Sequence, residues 1–216
     1  MEILFEDNHL LIVNKPGGVA SQSTKQGLDS VLSRLTADRD HPVLLTHRLD
    51  QPATGVMLFA KTKEAQALVN EQLKNGNMVK KYWAVVKNKP EEEHATLIHY
   101  LRKDGASNRS KAFVKEVAHS KKAELTYYLI NQSDHYFLLE IILKTGRHHQ
   151  IRSQLSAIGS PIKGDLKYGF KRSNPGGFIH LHARSLEFLH PISQENVSIQ
   201  ALPPEDNLWK FMLNIS

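Results

Sequence analysis

The chain has 216 residues, of which 40% are hydrophobic and 23% charged, as is usual for a globular protein with one substantial core or two lobes. It contains no cysteine, which excludes disulfides, cysteine zinc sites and thiolate nucleophiles. The net charge of +6 leaves a nucleic acid partner and an ordinary lysine-rich surface equally open. The apolar runs are short and the N-terminus lacks a signal-peptide pattern, so we expect a cytoplasmic protein that is not associated with a membrane.

In chain order, the first part of the sequence predicts short strands and two helices. Apolar runs predict strands at residues 3–5, 10–13 and 56–60. One face of a first helix is predicted by the spacing of Leu28, Val31, Leu32 and Leu35. Thr62 is a typical N-cap for a second helix, and Gly76 is a typical residue at which that helix ends.

The rest of the chain is mostly β. Strands are predicted at residues 82–87, 95–101, 111–117, 124–131, 136–143, 178–189 and 197–201. Residues 102–110 predict a loop or hairpin connection. One helix is predicted to follow Arg147 and to end at Gly159, and another is predicted at residues 208–213. Because strands often follow one another directly, the pattern indicates an α+β fold with a largely antiparallel sheet.

The first candidate site is the motif His47-Arg48-Leu49-Asp50, which precedes a turn and a buried strand. Such a loop can display polar side chains at the edge of a sheet, where functional residues concentrate. The alternative is a turn in which the Asp side chain binds its own backbone, and this alternative is favoured for an isolated Arg-x-Asp.

A second candidate site lies at a strand-to-helix junction around Arg147 and Arg152, which are suited to pair with a carboxylate or a phosphate or simply to be exposed. The adjacent His148 and His149 point in different directions on a helix, and no third ligand accompanies His180 and His182. We therefore expect no metal site.

Basic residues next to aromatic residues form a third candidate site, Lys80-Lys81-Tyr82-Trp83. This combination suits RNA, because the cations meet phosphates and the rings stack on bases, although a strand with one aromatic residue in the core explains it equally well. Residues 159–169 form a loop rich in glycine, and no phosphate-binding glycine motif occurs in the chain.

Taken in order, these motifs resemble the RluA family of pseudouridine synthases over nearly the whole chain. The matching blocks are Glu6-Asp7, Leu10–Val13, Asn14-Lys15-Pro16-x-Gly18, His47-Arg48-Leu49-Asp50, Lys81-Tyr82-Trp83-Ala84, Thr145-Gly146-Arg147-x-His149-Gln150-Ile151-Arg152, Gly159-x-Pro161-Ile162-x-Gly164-Asp165-x-x-Tyr168-Gly169 and Leu181-His182-Ala183. The family signature usually continues Thr-Ser-Gly, whereas this chain has Ala53-Thr54-Gly55.

The resemblance implies the pseudouridine synthase fold, with residues 1–216 as a single catalytic domain whose two sub-lobes flank a central active-site cleft. The family's S4-type RNA-binding domain is not expected in this chain. The implied reaction isomerises uridine in ribosomal or transfer RNA: the N1–C1′ bond breaks, the uracil turns, and C5 bonds to C1′. Asp50 is then the essential carboxylate, and it either attacks the sugar or assists loss of the C2′ proton.

The resemblance also assigns roles to other residues. Arg147 would keep Asp50 ionised beneath a bound base, and Tyr82 would stack on that base. The target uridine must leave its helix, and Arg48 would fill the vacated space, while His47 supports the loop or contacts RNA. The charged candidates for phosphate contacts are Lys15, Lys80, Lys81, Arg152, Lys163 and Lys167.

The reaction exchanges no electrons or groups with another molecule, so we expect no cofactor and no metal. The expected partner is an RNA stem-loop, with no obligate protein partner and a monomer by default. Two rival functions are an RNA-binding module that has lost the chemistry and a hydrolase of nucleosides or esters. All three matched catalytic positions are filled, which disfavours the first rival, and no Gly-x-Ser-x-Gly elbow supports the second.

Overall fold

The computed structural model describes residues 1–23, 29–37 and 39–214. The helices of this part of the chain are α1 (Val31–Ala37), α2 (Lys63–Asn75), α3 (Gln150–Ala157) and α4 (Asn207–Leu213). Its strands are β1 (Glu2–Glu6), β2 (Leu10–Lys15), β3 (Leu44–Leu45), β4 (Thr54–Ala60), β5 (Val79–Val86), β6 (His94–Asp104), β7 (Arg109–Phe113), β8 (Lys121–Gln132), β9 (Phe137–Leu143), β10 (Leu181–Leu189) and β11 (Asn196–Gln200). None of these helices is long and apolar enough to cross a membrane.

The chain divides into two compact units. The first unit comprises Met1–Lys80 and His182–Pro204, and the second comprises Lys81–Leu181 and Glu205–Ser216. Both units contain strands and helices, and most strand pairs are antiparallel, which confirms the predicted α+β class.

In the first unit, β2 lies between β1 and β4, while β4 also pairs with β3 and runs parallel to β10. All seven residues of β4 are buried, as expected for a strand covered on both faces. Helix α2 buries Ala65 and Val69 against this sheet. The loop that carries Asp50 leads directly into β4 and therefore begins from a rigid element.

The second unit contains an antiparallel sheet in the order β5, β9, β8, β6, β7. Strand β8 alternates between buried and more exposed residues, so one face of the sheet is covered and the other faces solvent. Six of the eight residues of α3 are buried. Trp209 and Met212 of α4 pack against Val85 and Leu138.

Local sequence signals located most elements correctly. Thr62 caps α2 by accepting a hydrogen bond from Ala65 N, and Gly76 ends it in a left-handed conformation with φ of 74°, as predicted. The first predicted helix is confirmed as α1, although Leu28 lies outside the described residues.

Several boundaries differ from the prediction; β5, for example, begins at Val79 rather than at residue 82. A hairpin, one of the two predicted forms of the connection at residues 102–110, is confirmed, but its turn is shorter because β6 continues to Asp104 and β7 begins at Arg109. Strand β7 also ends at Phe113 rather than at residue 117, and β10 begins at Leu181 rather than at residue 178. Charged residues that lie on a solvent-facing strand resemble a loop in sequence, which explains why the predicted connection at residues 102–110 is too long.

Candidate active site

The loop between β3 and β4 presents the motif His47-Arg48-Leu49-Asp50, and buried contacts hold it on both sides. The hydroxyl of Ser21 donates to Leu49 O (2.7 Å) and accepts from Leu49 N (3.0 Å). The N–H of Leu58 donates to His47 Nε2 (3.1 Å). Leu49 points inward, Asp50 is half-buried and Arg48 is exposed. The loop therefore displays the arginine and the carboxylate on a fixed backbone.

Lys15 fastens the turn that follows Asp50. Its side chain is fully buried, and Nζ donates to the carbonyl oxygens of Pro16 (2.9 Å), Gln51 (3.1 Å) and Ala53 (2.8 Å). Burial lowers the pKa of Lys15 to about 8, and the negative charge of Asp50 opposes that shift. The ammonium thus binds backbone carbonyl oxygens of the turn at Gln51 and Ala53, and it contributes a positive charge near Asp50.

The far end of the loop is locked to β10. The hydroxyl of Thr54 lies 2.8 Å from Nδ1 of His182, whose Nε2 lies 3.0 Å from Ala201 O. Since the carbonyl can only accept, His182 carries its proton on Nε2 and accepts from Thr54 at Nδ1. A side chain at Gly55 (φ +113°) would place its Cβ 2.3 Å from Ala183 O, so this close approach requires glycine.

In the second unit, Tyr82 is a buried residue of β5 that pairs with Ile141 of β9. Arg147 is exposed at the junction between β9 and α3. Its Nε donates to Lys122 O (3.0 Å), and its backbone N–H donates to Gln150 Oε1 (3.0 Å). These bonds fix the backbone of Arg147 and the Nε side of its guanidinium, while the residue stays exposed.

Arg152 occupies a different setting on α3. It is 4% exposed and forms two parallel hydrogen bonds with Asp165, which is 1% exposed, at 2.7 and 2.8 Å. Its guanidinium also lies over the ring of Tyr168, 5.0 Å from the centroid. Arg152 and Asp165 form a buried ion pair that joins α3 to the 159–169 loop.

The other predicted basic residues are half-buried. Nζ of Lys163 donates to Asn174 Oδ1 (2.5 Å), and Nζ of Lys167 donates to Asn108 O (3.3 Å). Burial lowers the pKa of Lys80 and of Lys163. Contacts of these two lysines, Lys81 and Lys167 with phosphate remain predictions.

The histidines considered as metal ligands are bound separately. His180 lies between Asn174 and Asp206 at 3.0 Å from each, whereas His182 binds Thr54 and Ala201. Throughout residues 1–23, 29–37 and 39–214, no group of three or more potential ligands has an arrangement that would hold a metal ion.

Comparison with known proteins decides the family. The sequence profile described as RNA pseudouridylate synthase matches residues 9–157, which is more than half of the chain. The chain belongs to the RNA pseudouridine synthase family. It is accordingly an isomerase that acts on RNA, and the resemblance of the sequence motifs to this family is confirmed.

Individual relatives agree with this assignment. Ribosomal large subunit pseudouridine synthase D of Zymomonas mobilis is 31% identical over 100% of this chain and 74% of its own length. The tRNA pseudouridine synthase C of Vibrio cholerae is 29% identical over 99% of this chain and 95% of its own length. The structure of human RNA pseudouridylate synthase domain containing 4 shares the fold, with a TM-score of 0.76 at 24% identity, and the match covers 99% of this chain and 92% of that one.

Two predicted RNA contacts of this synthase need correction. Lys15 is fully buried with its ammonium on three carbonyl oxygens, and Arg152 is buried against Asp165. Neither side chain is available to a phosphate, so both have structural roles. His47 accepts a hydrogen bond from Leu58 N, which agrees with support of the loop, one of its two expected roles. A contact of His47 with RNA stays a prediction.

Lys15→Met tests the structural role of the buried ammonium. The variant leaves three carbonyl oxygens without their donor, and each such group costs about 1–3 kcal/mol. We expect the free energy of unfolding to fall by about 3 kcal/mol or more and turnover to fall with it, because Gln51 and Ala53 lie in the turn that follows Asp50. Denaturant unfolding measures the first effect. Lys63→Met on the exposed surface of α2 is the control, and equal stability of the two variants would contradict the assignment.

The stability of the synthase should depend on pH through His47. Burial, with a smaller contribution from the charge of Lys80, lowers the pKa of His47 to about 4. The unfolded chain binds this proton near pH 6.5, so stability falls as pH drops from about 6.5 to 4, by up to about 1.4 kcal/mol per pH unit. His47→Gln, whose amide oxygen can still accept from Leu58 N, should reduce this slope in urea unfolding at pH 7, 6 and 5. An unchanged slope would exclude His47 as its source.

Proposed function

We propose that this synthase isomerises specific uridines of structured ribosomal or transfer RNA, with Asp50 as the essential carboxylate. The observation that supports this role is the construction of the loop. Ser21 and Lys15 hold its backbone from beneath, while the loop presents a half-buried carboxylate beside an exposed arginine. A catalytic group must be held within a fraction of an ångström, and such scaffolding provides that precision.

Asp50 would act in its ionised form. As a nucleophile it would attack C1′ as the N1–C1′ bond breaks, and as a base it would take the C2′ proton; the two routes share this requirement. A base stacked over the carboxylate excludes water and disfavours its charge. The buried ammonium of Lys15, which interacts electrostatically with Asp50, favours the charge. This arrangement supports Lys15 as the source of a positive charge near the proposed catalytic carboxylate.

Tyr82 and Arg147 would complete the chemistry in the roles that the resemblance implies. Tyr82 would stack on the target base and help to remove the C5 proton, and Arg147 would stabilise the ionised form of Asp50. Tyr82 is held in β5 by the pairing of this strand with β9, and Arg147 is exposed. Both settings are compatible with contact to substrate.

Arg48 would occupy the space that the flipped uridine leaves. It is exposed between the two anchored residues His47 and Leu49, so its backbone is fixed while its side chain is accessible. A planar guanidinium stacks well between bases, which suits this role.

Relatives named for ribosomal and transfer RNA both match this chain, so both classes of RNA should be tested. The purified protein is incubated with unmodified ribosomal and transfer RNA, and pseudouridine is mapped by carbodiimide adducts that stop reverse transcription. We expect new pseudouridine at discrete uridines of one class. Binding without pseudouridine would identify a module without chemistry, and released uracil would identify a hydrolase; either result would overturn the proposal.

A further inference from the structure

The outer face of the β6–β7 hairpin and the adjoining part of β8 alternates cations with aromatic rings. Lys122, Tyr100 and Phe113 lie directly opposite one another across β8, β6 and β7, and Arg102 lies opposite Lys111 in the next row. Residues directly opposite in antiparallel strands share one face of the sheet. We call these five residues the basic–aromatic face.

This face points to solvent. Intervening residues of the same strands, Leu101, Ser110 and Ala123, are buried on the opposite side of the sheet. On the basic–aromatic face the three cations are exposed and the two rings are half-buried. The sheet therefore presents ring edges and faces framed by charged side chains.

Among the three cations of this face, Lys122 is paired within the fold, because its Nζ lies 3.4 Å from Oε2 of Glu124. Arg102 and Lys111 have a different setting. The guanidinium of Arg102 and the ammonium of Lys111 both lie over the ring of Phe113, at 5.2 and 5.3 Å from its centroid. Like charges opposite each other in a sheet are destabilising, and in the described part of the chain no carboxylate pairs with either cation at ion-pair distance. Asp104 on the same strand accepts hydrogen bonds from Ala106 N (3.0 Å) and Ser107 Oγ in the hairpin turn. These bonds lower the pKa of Asp104, and the charge of Arg102 makes only a smaller contribution.

We propose that the basic–aromatic face binds a single-stranded segment of the RNA substrate. Phosphates would meet Arg102 and Lys111, and a base would stack on Tyr100; the combination of cations and rings is that of single-strand binding surfaces. The inference rests on the proposed function, because the strand is taken to belong to the RNA that is modified.

Arg147 connects this face to the predicted chemistry. Its Nε donates to the carbonyl of Lys122, the residue opposite Tyr100, so the exposed guanidinium lies at the edge of the same surface. A strand bound along the face would pass next to this arginine. The surface would thus hold nucleotides that flank the target uridine, and it would contribute to affinity rather than to the chemical step.

The test measures binding of a fluorescently labelled oligouridylate strand by anisotropy over a range of salt concentrations. Arg102→Gln/Lys111→Gln should weaken binding about tenfold or more near 0.1 M salt and should reduce the salt slope by about 1.4, which corresponds to two phosphate contacts on a single strand. Tyr100→Leu should weaken binding about fivefold with an unchanged slope, since stacking releases no counterions. Lys63→Gln/Lys74→Gln on α2 removes the same charge elsewhere and should bind nearly as well as the wild type.

Thermal unfolding separates binding from folding, because removal of two like charges that face each other should leave stability unchanged or raised. Equal affinities of the two double variants would overturn the proposal, as would binding of the wild type to anionic phosphatidylglycerol vesicles and not to RNA. Binding is measured without turnover. An active Asp50→Asn variant would therefore refute the catalytic proposal alone, whereas a normal salt slope in the face variant would refute only this surface.

Discussion

Asp50→Asn is expected to lower the rate of pseudouridine formation by about a thousandfold or more and to leave RNA affinity within about threefold of the wild type. The amide has nearly the same shape as the carboxylate but cannot attack C1′ or accept the C2′ proton. A thousandfold loss corresponds to about 4 kcal/mol of transition-state stabilisation. Single-turnover kinetics with enzyme in excess would measure the chemical step without a contribution from product release.

Asp40→Asn is the matched control, because it makes the same chemical change at an exposed carboxylate of the first unit. Its turnover should equal that of the wild type. The affinity measurement separates chemistry from folding, since a misfolded Asp50→Asn variant would lose both activity and binding. If Asp50→Asn kept turnover within tenfold of the wild type, another group would have to be the essential carboxylate, and the loop that Lys15 supports would have a purely structural role.

Elements that depend on neighbouring residues could be predicted from the sequence. The cap of α2 at Thr62 and its end at Gly76 are examples, because each depends on bonds that span only a few residues. The two-residue strand β3 was missed because two apolar residues carry no periodicity. The motif order identified the family because six blocks, with the segments from Glu6 to Gly18 counted as one, occur in sequence, although each block alone is ambiguous.

The supporting shell of the candidate site could not be predicted in the same way. Lys15 binds carbonyl groups 36 and 38 residues away, and Thr54 binds His182 across 128 residues. A lysine is usually exposed, and backbone carbonyls leave no signature in a sequence, so Lys15 was assigned to phosphate by its charge alone. Thr54 departs from the family signature, and only the structure shows that its hydroxyl binds Nδ1 of His182.

Arg152→Met is expected to reduce the free energy of unfolding by about 3–5 kcal/mol, the range observed when one partner of a buried ion pair is removed. The reason is that Asp165, which is 1% exposed, would keep a buried charge without its guanidinium partner. Urea unfolding at pH 7 would measure the loss. Arg172→Met, an exposed arginine of the second unit, should change stability by less than about 0.5 kcal/mol.

A double-mutant cycle gives the pair its sharper test. Arg152→Met/Asp165→Leu replaces both charges with apolar groups and should be more stable than either single variant, because no unpaired buried charge remains. If the two single losses were additive in the double variant, the residues would act independently and the ion pair would not stabilise the fold.

The effect of Arg152→Met should also reach the β6–β7 hairpin, which carries the proposed RNA-binding face. Arg152 lies over the ring of Tyr168, whose oxygen accepts from Ser110 N (2.7 Å) on β7. Loss of the ion pair frees Tyr168 and weakens this link, so the Ser110 amide should exchange its hydrogen faster and affinity for oligouridylate should fall. The salt slope should stay that of the wild type, since Arg152 contacts no phosphate. A slope reduced by about 0.7 would instead mean that Arg152 contacts a phosphate of the RNA, and this would contradict its structural role.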